Sequence, residues 1–252
     1  MPDSIKPDQK NRNAIDADIY KTSNKQSDEA VPPAIPAATV VLLKDTDKGI
    51  EVLMLRKNPE IGFGGMWVFP GGRIDPEDYP ADGDAKIAAR TAAAREAREE
   101  AGITIDSEYF VQFSQWTPPA ITQKRFETAF FAARAPDQLE ISIDGQEIHE
   151  HQWVNPAEAI KMRDKGDIDL VAPTWVTLDT LSKHATVDLF FKYLETATIR
   201  EYQTHMSRTE SADRIVMWAG DAGYETWDAS VEGPRHRLTM SKQKFIFENT
   251  FE

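Results

Sequence analysis

The sequence predicts an α/β fold, and three observations predict it. Two apolar runs, Ala37 to Leu43 and Ile50 to Arg56, flank a short polar turn and read as a strand hairpin. An alanine-rich run from Asp84 to Ala101 reads as one long helix, since alanine leads the helix propensity scale. Further strand-like runs, Tyr109 to Trp116, Lys124 to Ala133 and Gln146 to Val154, follow that helix, and more helices follow them.

Each element has a local reason. Pro32, Pro33 and Pro36 push the residues before them toward extended geometry, so the chain enters its first strand already stretched. Asp82 or Asp84 caps the start of the long helix, and Gly102 stands where a helix end needs positive φ. Asn155-Pro156 opens a second helix, with asparagine as cap and proline in the first turn; it is expected to cover the other face of the sheet. Ala172 to Leu178 opens a third, and Thr186 to Thr196 reads as a fourth. Arg214 to Trp218 and Lys244 to Phe247 read as strands, with the Arg235-His236-Arg237 run between them serving structure rather than phosphate. Residues 1–32 are polar without apolar periodicity and read as a flexible leader, with a short docking helix as an alternative at Ala14 to Tyr20.

Composition excludes several classes. The chain has 252 residues, enough for one large domain or a domain with an extension, and 40% of them are apolar. A net charge of −13 disfavours nucleic acid, whose phosphates need Lys/Arg patches. An anionic small molecule stays open, because a bound cation inverts the local charge logic. With no cysteine there is no disulfide framework, thiolate metal site or cysteine nucleophile. No run of about 18 apolar residues predicts a membrane span, and the N-terminus lacks a signal-peptide core. A cytoplasmic location is the default expectation.

The chemistry concentrates in Arg95-Glu96-Ala97-Arg98-Glu99-Glu100-Ala101-Gly102-Ile103. On a helix Glu96, Glu99 and Glu100 stand at i, i+3 and i+4 and share one face. Such a face is ordinarily solvated. Three like charges in that arrangement repel, and a divalent cation with hard oxygen ligands would offset the repulsion. Upstream, Trp67-Val68-Phe69-Pro70-Gly71-Gly72 reads as a strand running into a tight glycine turn.

Together these stretches resemble the Nudix box. Arg95 to Ile103 matches its second half, R-E-U-x-E-E-x-G-U with U aliphatic, at every fixed position, and Phe69-Pro70-Gly71-Gly72 looks like its opening. The first half departs. The box glutamate eight residues before the arginine is replaced by Ile87, and the Gly72 to Arg95 spacing is longer than the standard box. Asp75, Glu77 and Asp78 in the lengthened loop are the candidates to hold Arg95 in its place.

The resemblance implies a Nudix fold, a mixed β-sheet sandwiched between helices (α-β-α), over residues 33–198, with an α+β extension at 199–252 packed on it. It implies a metal-dependent diphosphatase using Mg²⁺ or Mn²⁺. Glu96, Glu99 and Glu100 would ligate the metal with a backbone carbonyl of Gly71 or Gly72, and Arg95 would brace the box loop. The general base stays open among Glu99, Glu100 and Glu147; Glu147 is preferred over Glu150 because a loop position leaves it free to reach the helix carboxylates. A homodimer is an expectation from the family alone.

A finer likeness runs to the coenzyme A branch. That branch carries Arg, a small residue, Arg, then Gly before F-P-G-G; Arg56 and Gly65 fall on two of those places, while Lys57 and Ile61 depart. Trp116-Thr117-Pro118, the Lys124-Arg125-Phe126-Glu127-Thr128 strand and Phe130-Phe131 are similar to a mammalian peroxisomal branch that hydrolyses coenzyme A and acyl-CoA. Arg56, Lys124 and Arg125 would then bind the substrate's phosphates. The alternatives are another diphosphate compound (NADH, ADP-ribose or a nucleotide sugar) and a non-catalytic Nudix-like binding module.

Overall fold

The computed structural model describes residues 33–120, 125–136, 138–208 and 213–251. The leader and Lys124 lie outside the described residues.

Strand β1 (Ile35–Thr46) is the axis of the main sheet. One edge runs parallel to β6 (Phe126–Arg134) from Ile35 to Leu43. The other edge is shared: Leu43 to Thr46 pair with β2 (Gly49–Lys57), and Ala37 to Thr39 pair with β4 (Gly71–Arg73). On β2 pair β3 (Trp67–Val68) and β7 (Ile148–Val154); on β6 pairs β5 (Val111–Thr117). The mixed sheet therefore contains a parallel crossover from β1 to β6, and the long helix lies within it.

Helix α1 (Ala85–Ala101) covers one face. Of the two expected caps, Asp84 takes the role, accepting the N–H groups of Lys86 and Ile87, and Gly102 closes the helix at φ +69°. The buried side of α1 is Ala88, Ala89, Ala92, Ala93, Ala97 and Ala101. It packs on Ala38, Val40, Leu42, Leu53 and Leu55. The alternate residues Val41, Leu43, Val52 and Met54 face α2 (Pro156–Lys165), α3 (Ala172–Ser182) and α4 (Val187–Leu194), meeting Ala159, Trp175, Leu178 and Phe190. Both faces are covered, which is why β1 and β2 read as continuous apolar runs rather than alternating ones.

The chain after residue 198 first continues the main sheet. β8 (Arg200–Gln203) pairs parallel with β5 and lengthens the main sheet. Sequence periodicity in four residues is too short to reveal it. The chain then forms a second antiparallel sheet of β9 (His205–Arg208), β10 (Arg214–Met217), β11 (His236–Met240) and β12 (Phe245–Asn249), in the order β12-β11-β10-β9. Trp116 of β5 stacks on Tyr202 at 3.8 Å and meets Trp218 edge-on at 5.6 Å, so one apolar core spans both segments.

The Arg235-His236-Arg237 run holds the extension together. Arg237 is buried and donates through Nε and Nη2 to the two oxygens of buried Asp221, at 2.7 and 2.5 Å. Asp221 also accepts the N–H groups of Gly223 and His236. Burial pushes its carboxyl up, but the Arg237 guanidinium and these N–H groups outweigh burial and hold it below the usual range. Asp221→Ala strands a buried guanidinium, so it should cost about 3–5 kcal/mol in urea unfolding. A carboxylate with a depressed folded pKa stabilises the fold above its unfolded value. That contribution should disappear as pH falls below about 4, and a pH series of melts on both proteins should converge there.

Candidate active site

The site forms where α1 meets the β3–β4 turn. Gly71 lets β4 lie close on β1, and Gly72 lets α1 approach the turn. A Cβ on Gly71 would run into the Ala38 carbonyl and Thr39, and one on Gly72 would run into the carboxylate of Glu96. The alanine face of α1 serves the same end from the other side. Glu96 and Glu100 are thereby pressed against main chain, while Glu99 is half-exposed.

Glu100 is buried; its Oε2 accepts the Gly71 N–H at 3.0 Å, and its Oε1 has no hydrogen-bond partner. Burial pushes its carboxyl up to about 7 against the pull of Lys57 and the Gly71 N–H. Glu96 is likewise raised by burial, in spite of Arg95. Lys57 Nζ lies 3.5 Å from Glu100 Oε1 and 3.8 Å from Glu147 Oε2. Sequence reasoning treated Lys57 only as a departure from a motif. The signal was present in strand alternation: Leu53 and Leu55 face α1, so Lys57 does too. Arg56 is sent to the opposite face, where it pairs with Glu150 at 2.6 Å.

Arg95 resolves the altered box. Its Nε and Nη2 grip both oxygens of buried Asp78, at 3.0 and 2.9 Å, and Nη2 also donates to the Arg73 carbonyl. Asp75 is a distant second at 3.7 Å and pairs with Arg73 instead; its N–H donates to Asp78. Asp78 lies on a short 3-10 turn, Pro76–Asp78, built by the inserted residues. Burial raises its carboxyl, but the Arg95 hydrogen bonds outweigh burial and leave it below the usual range. Ile87, at the place of the box glutamate, is exposed on the first turns of α1.

The remaining donor of Arg95, Nη1, reaches Glu96 at 2.9 Å and Glu99 at 3.0 Å. Among the described residues no three acidic or histidine side chains are gathered around one point. The donor set nevertheless fits a divalent cation. Glu100 Oε1 is a buried hard oxygen that accepts no hydrogen bond and has the Lys57 ammonium 3.5 Å away, and Gly72 leaves the carboxylate of Glu96 room against the turn. Glu96 and Glu99 both accept from Arg95 Nη1. Arg125 donates to the Pro118 carbonyl and steadies the loop after β5.

The NUDIX domain family model matches residues 33–184, more than half of the chain. The chain belongs to the Nudix family. A Caenorhabditis elegans protein named as a nudix hydrolase is 25% identical over 193 residues, covering 62% of this chain; the match spans 63% of that protein's length. The solved structure of a Nudix hydrolase from Alicyclobacillus acidocaldarius superposes with TM-score 0.59 at 22% identity, covering 68% of this chain and 99% of that one. A C. elegans Ap4A hydrolase complex superposes with TM-score 0.45 at 23% identity, covering 60% and 96%. The shared Nudix fold is the mixed sheet with helices on both faces described above.

Three alanine substitutions in the inserted loop should separate its acids. Asp78→Ala should cost about 1.5–3 kcal/mol, the range for charged hydrogen bonds. Asp75→Ala should cost under ~1 kcal/mol, as a long pair does. Glu77→Ala should be close to neutral, since surface changes stay within about 0.5 kcal/mol. Denaturant unfolding of the three variants checks the order.

Proposed function

We propose that this protein is a metal-dependent hydrolase that cuts the diphosphate bridge of a small nucleoside diphosphate derivative into two monophosphates. The observation that carries the reading is the glutamate turn of α1 against Gly71 and Gly72, with a buried Glu100 oxygen that accepts no hydrogen bond and faces the Lys57 ammonium at 3.5 Å. Glu96, Glu99 and Glu100 would hold Mg²⁺ or Mn²⁺ together with a carbonyl of Gly71 or Gly72. Such a cation neutralises diphosphate charge, orients the attacking water and stabilises the leaving phosphate oxygen. Arg95, locked to Asp78, keeps the glycine turn and the helix in register. A carboxylate among Glu99, Glu100 and Glu147 takes the proton from the water. Lys57 adds positive charge on the sheet side, where Glu100 and Glu147 meet. Low dielectric around Glu100 strengthens each of these interactions.

Our preferred substrate is coenzyme A or an acyl-CoA, cut to 3′,5′-ADP and a 4′-phosphopantetheine portion, on the likeness of the box loop, Trp116 to Pro118 and the β6 strand. Lys124 and Arg125 would bind the phosphoadenosine end. One observation favours a wider search: Arg56 is held by Glu150 and Arg125 by the Pro118 carbonyl. NADH, ADP-ribose and nucleotide sugars are therefore the second reading. Among the described residues no helix is long and apolar enough to cross a membrane; a cytoplasmic location is part of the proposal.

Turnover of CoA, acetyl-CoA, a long-chain acyl-CoA, NADH, ADP-ribose and a nucleotide sugar with Mg²⁺ and then Mn²⁺, products separated by chromatography, tests the reading. Release of 3′,5′-ADP from CoA species, abolished by chelation, is the expected result. Glu99→Gln should lower kcat by about 10²-fold or more, the scale of losing general base or charge stabilisation. A binding module would show no turnover to lose, and that outcome would sink the enzymatic reading.

A further inference from the structure

The turn that precedes β7 is organised by a carboxylate. Asp144 Oδ1 accepts the main-chain N–H groups of Gln146 and Ile148 at 3.2 and 2.9 Å, and Oδ2 accepts that of Glu147 at 3.0 Å. Gly145 supplies the left-handed step of the turn at φ +70°. Main-chain bonds then pin the turn on two sides. The Asp144 N–H donates to the Glu100 carbonyl and the Ser142 N–H to the Ala101 carbonyl, at 3.3 and 2.9 Å. Asn58 donates its N–H to the Glu147 carbonyl and its Nδ2 to the Gln146 carbonyl, both at 2.8 Å.

Glu147 is thus carried by a turn bolted to the last turn of α1 and to the residue after Lys57. Its own side chain is 61% exposed and reaches inward only to Lys57. The backbone beneath it sets the place of that carboxylate, at the Lys57 ammonium it shares with Glu100.

We infer that Asp144 is a positioning residue, which delivers the Glu147 carboxylate to the glutamate turn of α1. The inference rests on the proposed catalytic role of Glu147. Its physical basis is preorganisation: a displacement of ~1 Å in a reacting group can cost about 10²-fold in rate. Three N–H groups converging on one carboxylate remove the freedom that a glycine-bearing turn would otherwise have. Asp144 is exposed, so its removal leaves the apolar core in place.

Asp144→Ala, Glu147→Gln and the double variant test this in the full chain, with whichever panel diphosphate the protein cleaves. Amide hydrogen exchange at residues 146–148 is read in parallel. Asp144→Ala should speed that exchange and lower kcat by about tenfold with little change in KM. Added to Glu147→Gln, it should lower kcat no further, because its effect passes through a carboxylate already gone. Asp144→Asn, which keeps a carbonyl acceptor, should recover part of the loss. Equal losses in both backgrounds, or unchanged exchange at 146–148, would overturn the role of Asp144 while leaving that of Glu147 standing. If Glu147→Gln alone leaves turnover intact, the reading of Glu147 fails and the inference falls with it.

Discussion

Close approach of a helix to a sheet is the constraint on which this molecule depends. Six alanines on the inner side of α1 and Gly72 in the facing turn remove the atoms that would otherwise keep the two apart. The gain is not mainly hydrophobic, since alanine buries little area. It is geometric: Glu96 and Glu100 end against main chain rather than in solvent, and burial shifts both carboxyls upward. Larger residues on that helix face would bury more apolar area, but here they would lift the glutamates off the turn. Packing density and electrostatics are therefore set by the same residues.

The altered box shows how such a constraint tolerates change. Arg95 needs an acid fixed in place, and the usual helical position offers only Ile87. The inserted loop answers with a 3-10 turn that brings Asp78 in from outside the helix, buried and gripped at both oxygens. Arg95 thereby clamps the inserted loop to the helix. Its spare nitrogen also reaches Glu96 and Glu99, so the same guanidinium that braces the loop sets the resting orientation of the proposed metal ligands.

Much of this was legible in the residues. The α1 boundaries followed from propensity and caps, and the β1–β2 hairpin from two apolar runs and a polar turn, because those signals are local. The acid that holds Arg95 could be narrowed to three but not chosen, since choosing requires the path of an inserted loop. Lys57 was passed over although alternation from Leu53 and Leu55 places it. Asp144 was passed over although Asp-Gly before a strand is a turn signal with a mechanism. β8 was beyond reach: four residues pair with a strand more than eighty positions earlier, and nothing in their order announces it.

β8 has a meaning for the whole chain. A sheet edge presents unpaired N–H and C=O groups that invite another chain. β5 would be such an edge, with the indole of Trp116 beside it, had residues 200–203 not filled the place and Tyr202 and Trp218 not covered the ring. The C-terminal extension thus covers the Trp116 ring and moves the end of the main sheet from β5 to the four-residue β8. A shortened chain ending at α4 would leave β5 as a seven-residue edge with the Trp116 indole uncovered.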